Sequence, residues 1–475
     1  MNLKGIFLIV YFLISFGLFF NLDASFGVFS SFFLNAVLLS LIVIYHLYFE
    51  KDNSPFISSF IVFNFLFFLV APIVQISSFA GIEDPKYVNF FPYDESLVIK
   101  SNAFIFIFNL LIIVFYIQFK RKKIQKIIAP TFINSVNLPA YILGILFLCF
   151  VVFLLSFDFL LKDLATPSWL EFKASVAKLL IYKKVLFMVP FAGIILSFHY
   201  LKKKNKITNN TIIIFLSLIL FMVFLFWFKN PFTEKRNALG PIYLSLVFLF
   251  YPKIFSNNTK TLSVLFFIMI ILFPISSMLT HTDATFSQIL NNPNVLLAET
   301  KYSGIVKTFN TLHYDAFANL NATIGYVYEN GLSYGFQLLS ALLFFVPRSI
   351  WVSKPLSTGQ LIGEDLIDNY GFNFSNLSNP LVSEAYINFG YLGIFFFAVI
   401  FSYVLVKMLH WLKSENELKK IMSFYLAIHL LFLLRGDFTN GFSYYIGTLF
   451  GVLLIPKIVK VIVDEFLKLK GVVKN

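Results

Sequence analysis

The chain has 475 residues, 59% of them apolar and 13% charged, with a mean hydropathy of +0.82. Mostly apolar stretches of about 18 residues or more, the length that crosses ~30 Å of hydrocarbon, recur along nearly all of it, which excludes a soluble fold. The net charge of +13 comes mainly from lysine-rich loops that follow the positive-inside tendency, so it calls for no nucleic-acid partner, and the single cysteine, Cys149, excludes an intrachain disulfide.

The first apolar stretch, Leu3 to Phe20, has no small-residue cleavage site and reads as a retained span. Twelve spans are expected, at 5–22, 29–48, 56–79, 97–118, 139–160, 182–201, 211–228, 238–252, 261–280, 385–406, 421–434 and 441–457. With that count the clusters at Lys120–Lys126, Lys202–Lys206, Lys253/Lys260, Lys413–Lys420 and the tail from Lys457 all fall on one side, the cytoplasm, with both termini. The fold class is therefore an all-α polytopic membrane protein with one large extracytoplasmic loop. Three regions follow: an N-terminal bundle of about nine spans (1–280), the loop (281–384), and C-terminal spans with a basic cytoplasmic tail (385–475). In the loop a helix is expected around Tyr302–Glu329. The apolar run Phe336–Val346 is too short for a simple crossing and is expected to lie in the interface or to re-enter.

Four arginines occur among the 37 basic residues, and Arg236, Arg348 and Arg435 each end an apolar segment on the non-cytoplasmic side. A guanidinium stays charged and forks onto phosphate or carboxylate oxygens, so three at one membrane surface point to an anionic headgroup site. In Val346-Pro-Arg-Ser-Ile-Trp-Val-Ser-Lys-Pro355, prolines fix the chain direction, Trp351 anchors at headgroup depth, and Arg348 and Lys354 supply charge. An ordinary interfacial anchor has the same composition. The turn 229–236 adds Lys235 to Arg236, and its plainer reading is a solvated turn in which Glu234 neutralises a neighbour. Leu434-Arg-Gly-Asp437 reads either as part of the site or as a local pair of Arg435 with Asp437.

Glu384 and Asn388, four apart, share a helix face at the entrance to the tenth span; a carboxylate there can take a proton from a sugar hydroxyl. The alternative is an acid favoured by the helix dipole alone. His313 and Asp315 form a further acid/base or sugar-binding pair, equally readable as a surface pair. No cysteine cluster, ligand-spaced histidine pair, Asp-x-Asp signature or phosphate-binding glycine loop occurs, so neither metal nor ATP is called for.

An ordered set of motifs, Lys235-Arg236, His313-Tyr-Asp-Ala-Phe317, Pro347-Arg348…Lys354-Pro355 and Glu384-Ala-Tyr-Ile-Asn-Phe-Gly390, resembles the Wzy-type O-antigen and capsule repeat-unit polymerases. It spans roughly 229–440; the first half adds only hydropathy. The resemblance implies a membrane-embedded, GT-C-like glycosyltransferase fold shared with O-antigen ligases, metal-independent transfer without cofactors, and a bacterial cytoplasmic (inner) membrane location with the site facing the periplasm or exterior. It also implies an undecaprenyl-diphosphate-linked oligosaccharide as substrate, with membrane lipid and a chain-length regulator as partners. Arg236, Arg348 and Arg435 then stabilise the departing diphosphate and Glu384 takes the acceptor proton. Lys235, Lys354, Trp351, His313, Asp315, Asn388 and Asp437 line the substrate site. A flippase of lipid-linked oligosaccharide is the main alternative, but it is expected to carry charges within its bundle and paired half-repeats. A ligase differs in acceptor rather than in architecture.

Overall fold

A computed structural model describes residues 2–121, 137–165, 175–204, 206–231, 234–272 and 308–469. Regular structure among them is helical, apart from one isolated bridge between Lys86 and Pro92. Apolar sequence favours helices for a stated reason: each satisfies its backbone hydrogen bonds internally, which hydrocarbon demands.

Among the described residues, nine helices are long and apolar enough to cross a membrane: α1 (Leu3–Asn21), α2 (Phe26–Phe49), α3 (Pro55–Ser77), α4 (Glu95–Arg121), α5 (Leu138–Ala165), α6 (Val176–Lys202), α7 (Asn209–Phe228), α13 (Leu381–Leu412) and α15 (Phe438–Leu469). Between them lie α8 (Arg236–Phe250), α9 (Asn258–Leu272), α10 (Ala316–Asn330), α11 (Phe336–Leu342), α12 (Thr358–Tyr370) and α14 (Glu417–Arg435). The protein is thus a polytopic membrane protein. The eighth expected span coincides with the shorter helix α8, the ninth with α9 as far as Leu272, with 273–280 outside the described residues, and the eleventh with α14, which carries Glu417, Lys419 and Lys420 at its start. The described part of the expected loop helix is α10, from Ala316, and 302–307 lie outside the described residues. The run from Phe336 makes only the seven-residue α11, far too short to cross.

By packing, the chain divides into two units, each discontinuous in sequence: Met1–Lys123 with Pro252–Lys407 and Leu430–Phe442, and Ile124–Tyr251 with Met408–His429 and Ser443–Asn475. The first is organised around α3, 94% of whose apolar window is buried, against 11% for α1. A helix enclosed on all sides must satisfy its own polar side chains, and Asn64 of α3 accepts from Asn109 of α4 at 2.7 Å. At one end of this unit Glu50 gathers His46 (2.5 Å), Tyr116 (2.6 Å) and Lys120 (2.7 Å), while Asn258 donates to the His46 carbonyl at 2.9 Å. These bonds tie the ends of α2, α4 and α9 together. Burial opposes the Glu50 charge, but the His46 hydrogen bond and charge, joined by Lys120, hold its carboxyl below the usual range.

In the second unit α6 and α7 meet where Gly193 leaves room for the Phe221 ring; a Cβ there would lie 2.4 Å from it. Phe159, Phe187 and Phe228 pack beside Val152 and Leu160 in the same unit. Gly144 of α5 likewise admits Val459 and Val463 of α15.

Glu50→Ala removes the acceptor shared by three donors and leaves Lys120 without its main partner. It is expected to cost about 3–5 kcal/mol, seen as a lower Tm in detergent. Because the Glu50 carboxyl is held down in the fold, its contribution is full at neutral pH and is lost as pH falls through that lowered value. An unchanged Tm would show that the cluster does not hold the helix ends.

Candidate functional site

The first unit contains a buried polar knot, and Asp315 is its centre. Asp315 stands at the N-cap of α10, where a carboxylate ordinarily accepts from the next backbone N–H groups. Here its side chain makes no capping bond. It accepts instead from Ser378 Oγ at 2.6 Å and from an Arg435 guanidinium nitrogen at 3.1 Å. The dipole of α10 favours an anion at this end, and the C-terminus of α14 favours the cation opposite. The same Arg435 nitrogen donates to the Leu312 carbonyl at 2.8 Å. Gln75 of α3 holds the turn before Asp315, donating to the carbonyls of Phe309 (2.8 Å) and Tyr314 (3.2 Å). His313 lies half-buried in that turn.

The expected local pair of Arg435 with Asp437 is not what forms. Arg435 pairs with a residue 120 positions away, while Asp437 accepts the Asn440 N–H at 3.2 Å. The reason lies in Gly436, which has φ +95° and presses so closely on Asn379 that a Cβ would lie 1.6 Å from its carbonyl oxygen. Only glycine fits there.

Glu384, in the first turn of α13, is buried and accepts from Thr358 Oγ at 2.7 Å and from the Phe438 N–H at 3.4 Å. The charge of Asp437 also acts on it. α12, which supplies Thr358, sits flush on the 375–377 connector because Gly359 and Gly363 approach the carbonyls of Leu377 and Ser375. Asn388 donates to the Glu384 carbonyl at 2.8 Å, and α13 breaks immediately afterwards at Phe389 and Gly390. Asn319 joins this region to the Asp315 knot by donating to the Ser378 carbonyl at 2.6 Å, and Thr323 donates to the Asn379 side chain at 2.9 Å.

Among the described residues, three buried donors of this knot have no partner, Arg435 Nε, Asn379 Nδ2 and Ser383 Oγ, as do the hydroxyls of Tyr87, Ser101 and Ser197 elsewhere. A buried donor left unmade costs about 1–3 kcal/mol, so the knot's three are the ones a polar ligand would satisfy.

Arg348, Lys354 and Trp351 bond within their own segment. Arg348 is exposed and donates to its own loop, to the carbonyls of Lys354 and of Pro355 (3.2 Å). Lys354 Nζ gives its three hydrogens to the carbonyls of Leu343, Phe344 and Val346, each at 3.0 Å. Burial and then the Arg348 charge pull its ammonium below the usual value. Trp351 is half-buried and stands edge-on to Phe336.

Lys235 and Arg236 belong to the second unit, where Lys235 is the exposed N-cap residue of α8 and Arg236 is its first residue. Beside them Glu234 pairs with buried Lys229 at 3.6 Å and lies 4.0 Å from Lys183, which also pairs with Asp163 at 2.8 Å. Glu234 thus neutralises a neighbour, but it and Lys229 are both buried, which is not the solvated turn of the plainer reading. Burial pulls the Lys229 ammonium down, with Glu234 opposing. Charges within span helices are also commoner than hydropathy indicated, since Asp163, Lys183 and Lys184 lie inside α5 and α6.

Sequence reasoning missed Ser378, Asn319, Thr358 and Gln75. Gln75 offered a signal, a lone amide inside an apolar span; the others carried no comparable one.

Residues 373–465 match the family model described as O-antigen polysaccharide polymerase Wzy. The matched stretch holds Glu384, Asn388, Arg435 and Asp437, and over it the resemblance read from the sequence is borne out. No curated protein and no solved structure matches the chain.

Asp315→Ala leaves Arg435 without its counter-charge and is expected to cost about 3–5 kcal/mol, whereas Asp315→Ala with Arg435→Met restores part of it. Thermal unfolding in detergent reads both. A double variant as unstable as the single one would contradict a mutually satisfied pair.

Proposed function

We propose that the protein polymerises lipid-linked oligosaccharide repeat units, acting as a membrane-embedded glycosyltransferase on the outer face of a bacterial cytoplasmic membrane. The observation that carries this reading is the juxtaposition, in the segment matching the family, of a cation with an unspent donor, Arg435, and a buried carboxylate, Glu384. The two are joined by the Arg435–Phe438 turn, whose Phe438 N–H reaches Glu384.

In the proposed reaction the growing glycan is carried on undecaprenyl diphosphate. The terminal hydroxyl of an incoming unit attacks the anomeric carbon, the bond from that carbon to the diphosphate oxygen breaks, and the diphosphate leaves with the electron pair. Glu384 takes the hydroxyl proton. Thr358 and Asn388 hold its carboxylate and backbone, respectively, in place. Arg435, oriented by Asp315, stabilises charge developing on the leaving group, an effect that is large where water is excluded. Asn379 and Ser383 offer further donors, and Asp437 and His313 flank the sugar-binding side. Arg236, Lys235, Arg348, Lys354 and Trp351 complete the expected set, as cations and an aromatic anchor at the headgroup surface.

Glu384→Gln is expected to lower the polymerisation rate by about 10²–10⁴ with the protein still inserted in the membrane. Arg348→Ala and Arg236→Ala are expected to abolish long-chain glycan, and Arg348→Lys to restore it only in part. Glycan ladders from a deletion strain carrying each variant give the readout. Normal ladders from both alanine variants would refute their role. Single repeat units on the final acceptor mark loss of a polymerase, whereas loss of all external glycan would point to a flippase.

A further inference from the structure

We infer that residues 336–352 form an apolar hook that docks in the bilayer interface and fixes, through Asn388, the stretch of α13 that carries Glu384. The second half rests on the role proposed for Glu384; the first does not.

The hook is held shut by its own cations. α11 opens at Gly335, whose φ of +86° lets the chain turn, and closes where Lys354 Nζ collects the carbonyls of Leu343, Phe344 and Val346 at 3.0 Å. A cation at a helix C-terminus satisfies carbonyls that have no partner within the helix. Arg348 then ties the return strand by donating to the Lys354 and Pro355 carbonyls. Alongside these internal bonds the loop exposes hydrocarbon. Phe345 is 62% exposed, Ile350 77% and Val352 84%.

What covers those side chains follows from their surroundings. Gly335 backs onto the Phe389 ring at the break in α13; a Cβ there would lie 2.7 Å from it. Beyond the break the same helix exposes Tyr391, Leu392, Phe396 and Ile400 along an apolar span, the face such a helix turns to lipid. The hook meets that helix at its break, through Gly335 against Phe389 and Ser333 bonded to the Ile387 carbonyl. Trp351 and the two cations complete a composition typical of headgroup depth. The occupant is therefore the hydrocarbon edge of the bilayer.

The same segment grips Asn388. Its side-chain oxygen accepts from the Leu338 N–H at 3.0 Å and from Ser333 Oγ at 3.1 Å, and the Ser333 N–H donates to the Ile387 carbonyl at 2.9 Å. Asn388 in turn donates to the Glu384 carbonyl at 2.8 Å. Asn388 is thus a positioning residue, and the hook sets where it stands.

Spin labels test the docking without reference to activity. In a Cys149→Ala background, labels on Val352→Cys and Ile350→Cys are placed in phosphatidylcholine/phosphatidylglycerol vesicles, with Asp84→Cys as an aqueous control. Collision with oxygen is expected to exceed collision with Ni(II)EDDA at 350 and 352, and the order to reverse at 84. Labels at 350 and 352 that behave like the control would overturn the docking. Ile350→Glu with Val352→Glu is then expected to shorten the glycan ladder with the protein level unchanged. A full-length ladder from that variant would overturn the coupling to Glu384. A full-length ladder from Glu384→Gln would mark failure of the proposed chemistry instead, with the docking still decided by the labels.

Discussion

The pairing of Arg435 with Asp315 is the constraint on which the first unit's site depends. A carboxylate at a helix N-cap and a guanidinium at a helix C-terminus are each favoured where they stand, yet both are largely withdrawn from water. Each therefore needs the other, and joining them draws together segments 120 residues apart. The turn after Arg435 can follow this path only because Gly436 lies flat on Asn379. That turn carries the Phe438 N–H to Glu384. Remove the ion pair, and nothing of comparable strength aligns the carboxylate with the cation.

Buried polar groups in this chain divide into two kinds. Around Glu50 the polar partners close on themselves: His46, Tyr116 and Lys120 share its carboxylate, and Asn258 seals the neighbouring carbonyls. Around Arg435 the accounting stays open, with Nε, the Asn379 amide and the Ser383 hydroxyl unspent. Interiors rarely tolerate such groups, so a closed network reads as structure and an open one as a place for a ligand. Lys354 is of the first kind, since it spends all its hydrogens on carbonyls, whereas exposed Arg348 has guanidinium hydrogens beyond those it gives to its own loop.

Much of the fold was legible because hydropathy reports directly on the solvent a helix must cross. The long spans stand where apolar runs placed them, and the brevity of the Phe336 run kept it from being read as a crossing. The candidate site was read from residue type, and the partnerships within it were not legible. Arginine at Arg435 and acid at Glu384 stood out by chemistry, and the family match covers both. That Arg435 would choose Asp315 over Asp437 depends on the left-handed backbone of Gly436, which sequence spacing does not encode. Ser378 and Asn319 were passed over because a connector serine and a helical asparagine carry no sign of what they will face. The packing units escaped a linear reading for a similar reason, each being assembled from separate stretches of chain.

Native mass spectrometry of the detergent-solubilised protein with undecaprenyl diphosphate tests the central claim most directly. The account predicts that the wild-type chain retains the lipid and that Arg435→Met loses it, while Lys120→Met, at the closed network, keeps it. Equal retention by the wild-type chain and Arg435→Met would contradict the claim that the Asp315–Arg435 knot receives the lipid's diphosphate.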